Sequence, residues 1–254
     1  MRTAAAAGAM LALALSTLTH PTTASAGPSD YVFTPIVEEG EREIDFKAGF
    51  ARAKDGTRTG QQSIGLGWGV NSFWFTELYA KWHQQPGAVS GFDAWEWENR
   101  FQLTETGKYP LDIGLLLEIE RPKDRSEGYE YRWGPLFQAD LNNVVDGLQA
   151  NLNLLWQKHV RLAGGEPARL FTQWQLKMRW RPELEYGIQG FGDLGPWRGS
   201  AAGTERPQNA GPAIFGRVKL GPRQTVKYNA GLLFGLNHDA PRQTLRLQAE
   251  FEWN

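Results

Sequence analysis

The stretch Thr244-Leu245-Arg246-Leu247-Gln248-Ala249-Glu250-Phe251-Glu252-Trp253-Asn254 decides the fold. Leu245, Leu247, Ala249, Phe251 and Trp253 are apolar; Thr244, Arg246, Gln248, Glu250 and Glu252 alternate with them. A two-residue period is that of a β-strand, whose successive side chains point to opposite faces. The predicted strand has one wholly apolar face, and something must cover it.

Moving back along the chain, the same period recurs often enough to predict twelve strands. Ile44, Phe46, Ala48 and Phe50 share the apolar face of the first, and Ile64, Leu66, Trp68 and Val70 that of the second. The third lies in Trp74-Phe75-Thr76-Glu77-Leu78-Tyr79-Ala80-Lys81-Trp82, and the fourth carries Trp95, Trp97, Phe101 and Leu103. Leu111 to Ile119, Tyr131 to Leu141, Leu148 to Trp156 and Leu170 to Trp180 give the fifth to eighth. The ninth is Glu183 to Gly190, the tenth Ile214 to Leu220, and the eleventh Val226 to Phe234. A long polar loop is expected from Asp193 to Ala210.

Connections after the second, eighth and tenth strands are expected to be very short. Those after odd-numbered strands are mostly longer. Short turns at one rim and long loops at the other, with strands longer than the usual five or six residues, point to a membrane barrel rather than a soluble sandwich. An even strand number places both ends of the sheet at the short-turn rim.

On these residues the chain resembles a bacterial outer-membrane β-barrel over residues 41–254: all-β, closed, antiparallel, up-and-down and transmembrane, of about twelve strands. The resemblance implies a porin-like or channel-like protein whose apolar face is covered by outer-membrane lipid. It also implies aromatic girdles at the two interfaces. Phe50, Trp82, Trp95, Tyr131 and Trp156 are the outer candidates, and Trp74, Trp180, Phe251 and Trp253 the periplasmic ones. Arg246, Phe251 and Trp253 resemble the family's C-terminal assembly signal, which implies the barrel-assembly machinery as a partner. Gln248 stands where that signal has glycine, and Asn254 follows the final aromatic.

The third strand tests register, since a one-residue slip exchanges its faces. Pairing Val70 with Phe73 would turn Glu77 and Lys81 toward lipid. Pairing Val70 with Trp74 turns them inward and sets Gly65, Gly67 and Gly69 beside Tyr79, Glu77 and Phe75, where aromatics can cover strand glycines. The second register is expected. Gly-x-Gly-x-Gly here is not a phosphate loop, because no strand-to-helix turn follows it.

At the other end, Arg2, an apolar run from Ala4 to Leu18 and Ala24-Ser25-Ala26 read as a secretory signal peptide over residues 1–26, cleaved near Ala26. The apolar run is short for a spanning helix. There is no cysteine, which excludes disulfides and thiolate chemistry. Lys and Arg number 27 against 28 Asp and Glu, a balance that argues against nucleic acid as a partner. No cofactor or metal is expected. His83, His159 and His238 fall near the long-loop rim with no metal-ligand spacing, and no nucleophile elbow or metalloprotease helix is present. An enzyme is not expected; a lipid-modifying enzyme at the rim, suggested only by His238-Asp239, is a distant alternative.

The inward face carries the charge. Glu96, Glu98, Arg100, Glu118 and Arg132 are expected on one wall, and Lys177, Arg179, Arg217, Lys227 and Arg246 on the wall facing it. Either water fills the gap and the barrel is a narrow channel for small polar solutes, or the charges bridge and the barrel is a closed structural or binding barrel. Residues 27–40, with Pro28 and Pro35, are either a periplasmic leader or a small plug. The solute and the oligomeric state are not readable from the sequence.

Overall fold

The computed structural model describes residues 27–86, 90–161, 165–198 and 206–254. The expected signal peptide and its cleavage point lie outside them. Twelve strands form one closed antiparallel sheet: β1 (Arg42–Arg52), β2 (Arg58–Asn71), β3 (Trp74–Gln84), β4 (Gly91–Gln102), β5 (Asp112–Pro122), β6 (Tyr129–Asp140), β7 (Leu148–Val160), β8 (Arg169–Arg181), β9 (Leu184–Pro196), β10 (Gln208–Gly221), β11 (Gln224–Gly235) and β12 (Gln243–Trp253). Each strand pairs with its sequence neighbours, and β12 closes the ring on β1. A single 3-10 turn, Arg125–Glu127, interrupts the β5–β6 loop.

Closure explains the last strand. Phe251 lies opposite Val226 on one side and Ile44 on the other, so the backbone of β12 is paired along both edges. In lipid every backbone polar group needs an internal partner, and a closed barrel supplies one without leaving an edge. The apolar face stays outside. Leu66, Trp68, Leu78, Trp97, Ile188, Leu232, Leu245 and Leu247 are all exposed on it, Leu66 by 65 %. Fully burying one such side chain is worth about 1.5–3 kcal/mol, so a continuous band of them is suited to hydrocarbon and not to water.

The expected register of β2 and β3 is observed: Gly65 faces Tyr79, Gly67 faces Glu77 and Gly69 faces Phe75. The turn itself differs from expectation. Asn71 pairs with Trp74, and the ladder shifts between Gly69 and Asn71. A bulge therefore replaces the longer turn, with the Asn71 side chain accepting from Phe73 N and Trp74 N. A side chain at Gly65 would overlap the Tyr79 ring, so the small-beside-large packing requires glycine there.

Strand ends are the main corrections. The β4–β5 connection spans residues 103–111, so Leu103 and Leu111 lie outside the strands. Thr104 marks the start of β5: its hydroxyl accepts from Ile113 N, and the Asp112 carboxylate accepts from Gly107 N. β9 continues to Pro196 and β10 begins at Gln208, which takes Asp193 to Pro196 and Gln208 to Ala210 out of the expected loop. Asp193 N donates to Pro207 O, extending the pairing of these strands toward the rim.

Candidate functional site in the barrel lumen

The alternation that sends leucine outward sends polar side chains inward. Glu98, Asn153 and Gln189 are fully buried there. Residues 27–40 run among them. Ser29 Oγ donates to Gln61 Oε1 (2.8 Å), Tyr31 OH to Glu98 Oε2 (2.9 Å), and Asn153 Nδ2 to the Phe33 carbonyl (3.2 Å). Val37 N donates to Gln102 Oε1. Gly40 N and Gly69 N then fasten the segment to the wall before β1 begins. The segment therefore starts near the long-loop end of β1 and β2 and descends through the lumen to the short-turn rim.

Two apolar clusters hold it. Phe33 packs with Leu116, Leu136, Leu155 and Phe171, with Tyr31 against them, and Val32 packs with Phe191 and Leu233. The wall is hollowed where the segment passes: a side chain at Gly49 would overlap the Pro28 carbonyl, and one at Gly69 the Glu38 carbonyl. Below the waist a cavity of about 370 Å³ remains, lined among others by Glu43, Arg100, Lys177, Arg179, Arg217 and Lys227.

Charged groups pair chiefly with neighbours on the same stretch of wall. Lys81 Nζ bonds Glu96 (2.6 Å) and Glu120 (2.5 Å). Arg132 reaches Glu118 and Glu130 (3.5 Å each) and Asp30 (3.7 Å). Arg100 meets Glu98 at 3.2 Å and lies over the Phe75 ring. Lys47 bonds Asp45 (3.2 Å) and the Tyr79 hydroxyl. On the facing wall, too, the partners are near neighbours: Lys177 pairs with Glu185, Arg179 with Asp140, and Lys227 with Glu252 and Glu41. Arg217 is exposed at the cavity mouth opposite Lys227 in the ladder.

Arg246 stands apart. Its nearest polar partner is an amide, Gln189 Oε1 at 2.8 Å. Gln189 donates to Gln175, Gln175 to Asn151, and Asn151 to Gln138. This relay of side-chain amides runs from the guanidinium along β9, β8, β7 and β6, and each acceptor also holds the next donor.

The carboxylates of Glu96, Glu98 and Glu118 converge within 4.8 Å, as do those of Glu41, Glu43 and Glu252. Both triads already have counter-ions in Lys81, Arg100, Arg132 and Lys227. Glu77 is buried with neither carboxylate oxygen hydrogen-bonded, an arrangement that costs stability unless proton or charge compensates it. Of the rim histidines, His83 pairs with Asp93 at 2.7 Å and His159 with Glu130 at 3.0 Å, while His238 is 97 % exposed. In the outer β5–β6 loop, Ser126 bonds hold the Asp124 carboxyl below its usual range.

The expected girdle residues fall into aromatic groups. Trp82, Phe92 and Trp95 are in contact near one rim, as are Trp156 and Trp197. Trp74 stacks on Phe101, and Phe251 and Trp253 are in tilted contact, near the other. Trp180 is exposed with Arg181 over its ring, and Tyr131 pairs with Ile119 and Lys158 in the ladder. What the sequence reading misses is the inner apolar set and the ion pairing of Lys47 and Lys81 with the acids; for residues 27–40 it leaves a leader and a plug as alternatives.

No family model matches this chain, and no curated protein matches it. Solved structures do. The chain is similar to an outer-membrane channel from Pseudomonas putida F1, with a TM-score of 0.58 and 10 % identity over 89 % of this chain and 98 % of that one. It is similar to the NanC porin, with a TM-score of 0.52 and 9 % identity over 83 % and 99 %. A KdgM porin in complex with disordered oligogalacturonate gives 0.51 and 10 % over 84 % and 98 %. These neighbours are porins and channels, and the chain shares their barrel fold, here a closed antiparallel β-barrel of twelve strands.

Proposed function

We propose that this protein is a channel for small polar solutes in the outer membrane of a Gram-negative bacterium, and that residues 27–40 close its waist as a plug. The observation that carries the reading is where the obstruction comes from. The waist is filled by a chain segment lying on the wall, through Phe33 and Tyr31, rather than by the wall strands meeting one another. Twelve strands are more than side chains alone fill and fewer than leave a wide pore. A closed barrel is the second reading; it is favoured by the local pairing of Lys81, Arg100 and Arg132.

The test is single-channel recording of refolded protein in a planar bilayer. Intermittent openings are expected, with reversal potentials that respond to the wall. Neutralising Glu98 and Glu118 should shift selectivity toward anions, and neutralising Lys177 and Arg179 toward cations. Both shifts should shrink in concentrated salt, where the screening length falls to about 3 Å at 1 M. Permanent silence from folded protein, with Phe33→Cys unreactive to aqueous thiol reagents, favours the closed barrel.

The outward residues follow from the same reading. Trp82, Trp95, Tyr131, Trp156, Trp180 and Trp253 take the interfacial positions that amphipathic rings prefer. Phe251 and Trp253 also present the last strand to the assembly machinery. Replacing both by Ala is expected to lower the yield of heat-modifiable, membrane-embedded barrel severalfold, read by gel mobility of membrane fractions. Wild-type yield counts against that role.

A further inference from the structure

Arg52 and Arg58 are directly opposite each other in the β1–β2 ladder. Opposite residues of an antiparallel pair share a face, with Cβ atoms about 4.5–5.5 Å apart. Their face is the outward one, since Arg52 continues the row of Phe46 and Phe50, and Arg58 that of Ile64 and Leu66. Like charges so placed repel. Both side chains are exposed, and among the described residues neither has a hydrogen bond or ion pair. Many lumen cations, such as Lys81 and Arg132, have carboxylate partners; Arg52 and Arg58 are opposite each other on the outer face without one.

Both line a groove of about 660 Å³, which has Phe50, Leu232 and Leu245 as its apolar part and Gln84, Gln85 and Gln243 among its polar residues. Gly60 lies beside Phe50 in the ladder and has no side chain to fill the space. The site thus has a cationic head and an apolar body, stacked along the membrane normal at the long-loop rim.

We infer that this groove binds a phosphate-bearing lipid of the outer leaflet, with its phosphate between Arg52 and Arg58 and an acyl chain along Phe50, Leu232 and Leu245. The inference rests on the outer-membrane reading above. Charge complementarity selects the occupant. Two guanidiniums present forked donors that match phosphate oxygens, and an anion between them turns their repulsion into attraction. The apolar body excludes free phosphate as the intended ligand, because it would leave the groove unfilled.

The experiment uses the full refolded chain in neutral detergent, titrated with purified diphosphorylated lipid A. Binding is read by native mass spectrometry and by the rise in unfolding temperature that accompanies ligand binding to the folded state. The wild type should bind, and R52Q/R58Q should bind roughly tenfold or more weakly, the loss expected for charge-assisted hydrogen bonds. R52K/R58K should fall between them. Enzymatically dephosphorylated lipid A should bind the wild type as weakly as diphosphorylated lipid A binds R52Q/R58Q. Equal binding by the wild type and R52Q/R58Q overturns the proposal. So does equal binding of the dephosphorylated lipid, or equal stabilisation by inorganic phosphate alone. Both variants lie outside the lumen, so their conductance should match the wild type; loss of channel activity in the wild type itself would instead count against the channel reading.

Discussion

Deleting residues 28–37 is expected to turn intermittent current into a steady conductance at least severalfold larger. The barrel wall should survive the deletion, because each of its strands is hydrogen-bonded on both edges by other strands. What the deletion removes is the filling. Without Phe33, Leu116, Leu136, Leu155 and Phe171 form an uncovered apolar patch on the neighbouring strands β5 to β8, and without Val32 so do Phe191 and Leu233 on β9 and β11. These side chains project from different strands of a rigid ring and cannot collapse to close the gap. Water then enters a waist that Val32 and Phe33 fill. A subtler variant should act in the same direction. Gly49→Val adds a side chain where the Pro28 carbonyl lies, so it should loosen the top of the segment and raise the open fraction without shortening the chain. An unchanged conductance in both variants, with barrel folding intact by circular dichroism, would overturn the plug.

The architecture is legible because a membrane barrel writes one rule along its whole length. Lipid outside and polar groups inside impose a strict two-residue period, and β12 obeys it from Leu245 to Trp253. Register was readable at β2–β3 for a related reason: only one pairing keeps Glu77 and Lys81 out of hydrocarbon. Strand ends were less legible. Beyond the lipid the alternation has no purpose, so Asp193 and Gln208 continue strands that their side chains do not advertise.

The apolar patches that receive Val32 and Phe33 were also written in the sequence, as violations of the period. Leu115-Leu116-Leu117, Leu136-Phe137, Leu154-Leu155, Leu170-Phe171 and Leu232-Leu233 each place two or more apolar residues in succession. One member of each must face inward, and those members are Leu116, Leu136, Leu155, Phe171 and Leu233, the residues that receive Phe33 and Val32. Read as outward strand residues only, the doublets looked like ordinary hydrophobicity. The partners on residues 27–40 carry no period of their own, because an extended segment held by side chains need not repeat. Charge pairing was illegible for another reason. Lys81 reaches Glu96 and Glu120 across two strands, a relation fixed by barrel stagger and not by spacing along the chain.

The second large effect concerns Arg132. The residue is 9 % exposed, and its guanidinium serves Glu118, Glu130 and Asp30, while Nε and Nη2 also donate to Gln157 Oε1 at 3.3 and 3.2 Å. Arg132→Met keeps much of the side-chain volume and removes the charge. Glu118, 1 % exposed, then loses its guanidinium in a waist that admits little water. Removing one partner of a buried ion pair typically costs about 3–5 kcal/mol, so the variant should unfold at clearly lower urea concentration in detergent, with the midpoint shift read by tryptophan fluorescence. Adding Glu118→Gln should recover part of that loss, because it removes the stranded charge. The outcome depends on the state of the lumen. If the waist were water-filled, Arg132 and its partners would be screened, and a surface-like pair is worth about 0–1 kcal/mol. A small shift for Arg132→Met, with no recovery on adding Glu118→Gln, would therefore overturn the dry, plugged waist. Combining Arg132→Met with deletion of residues 28–37 separates the causes: once the plug is absent and water enters, most of the penalty of Arg132→Met should disappear.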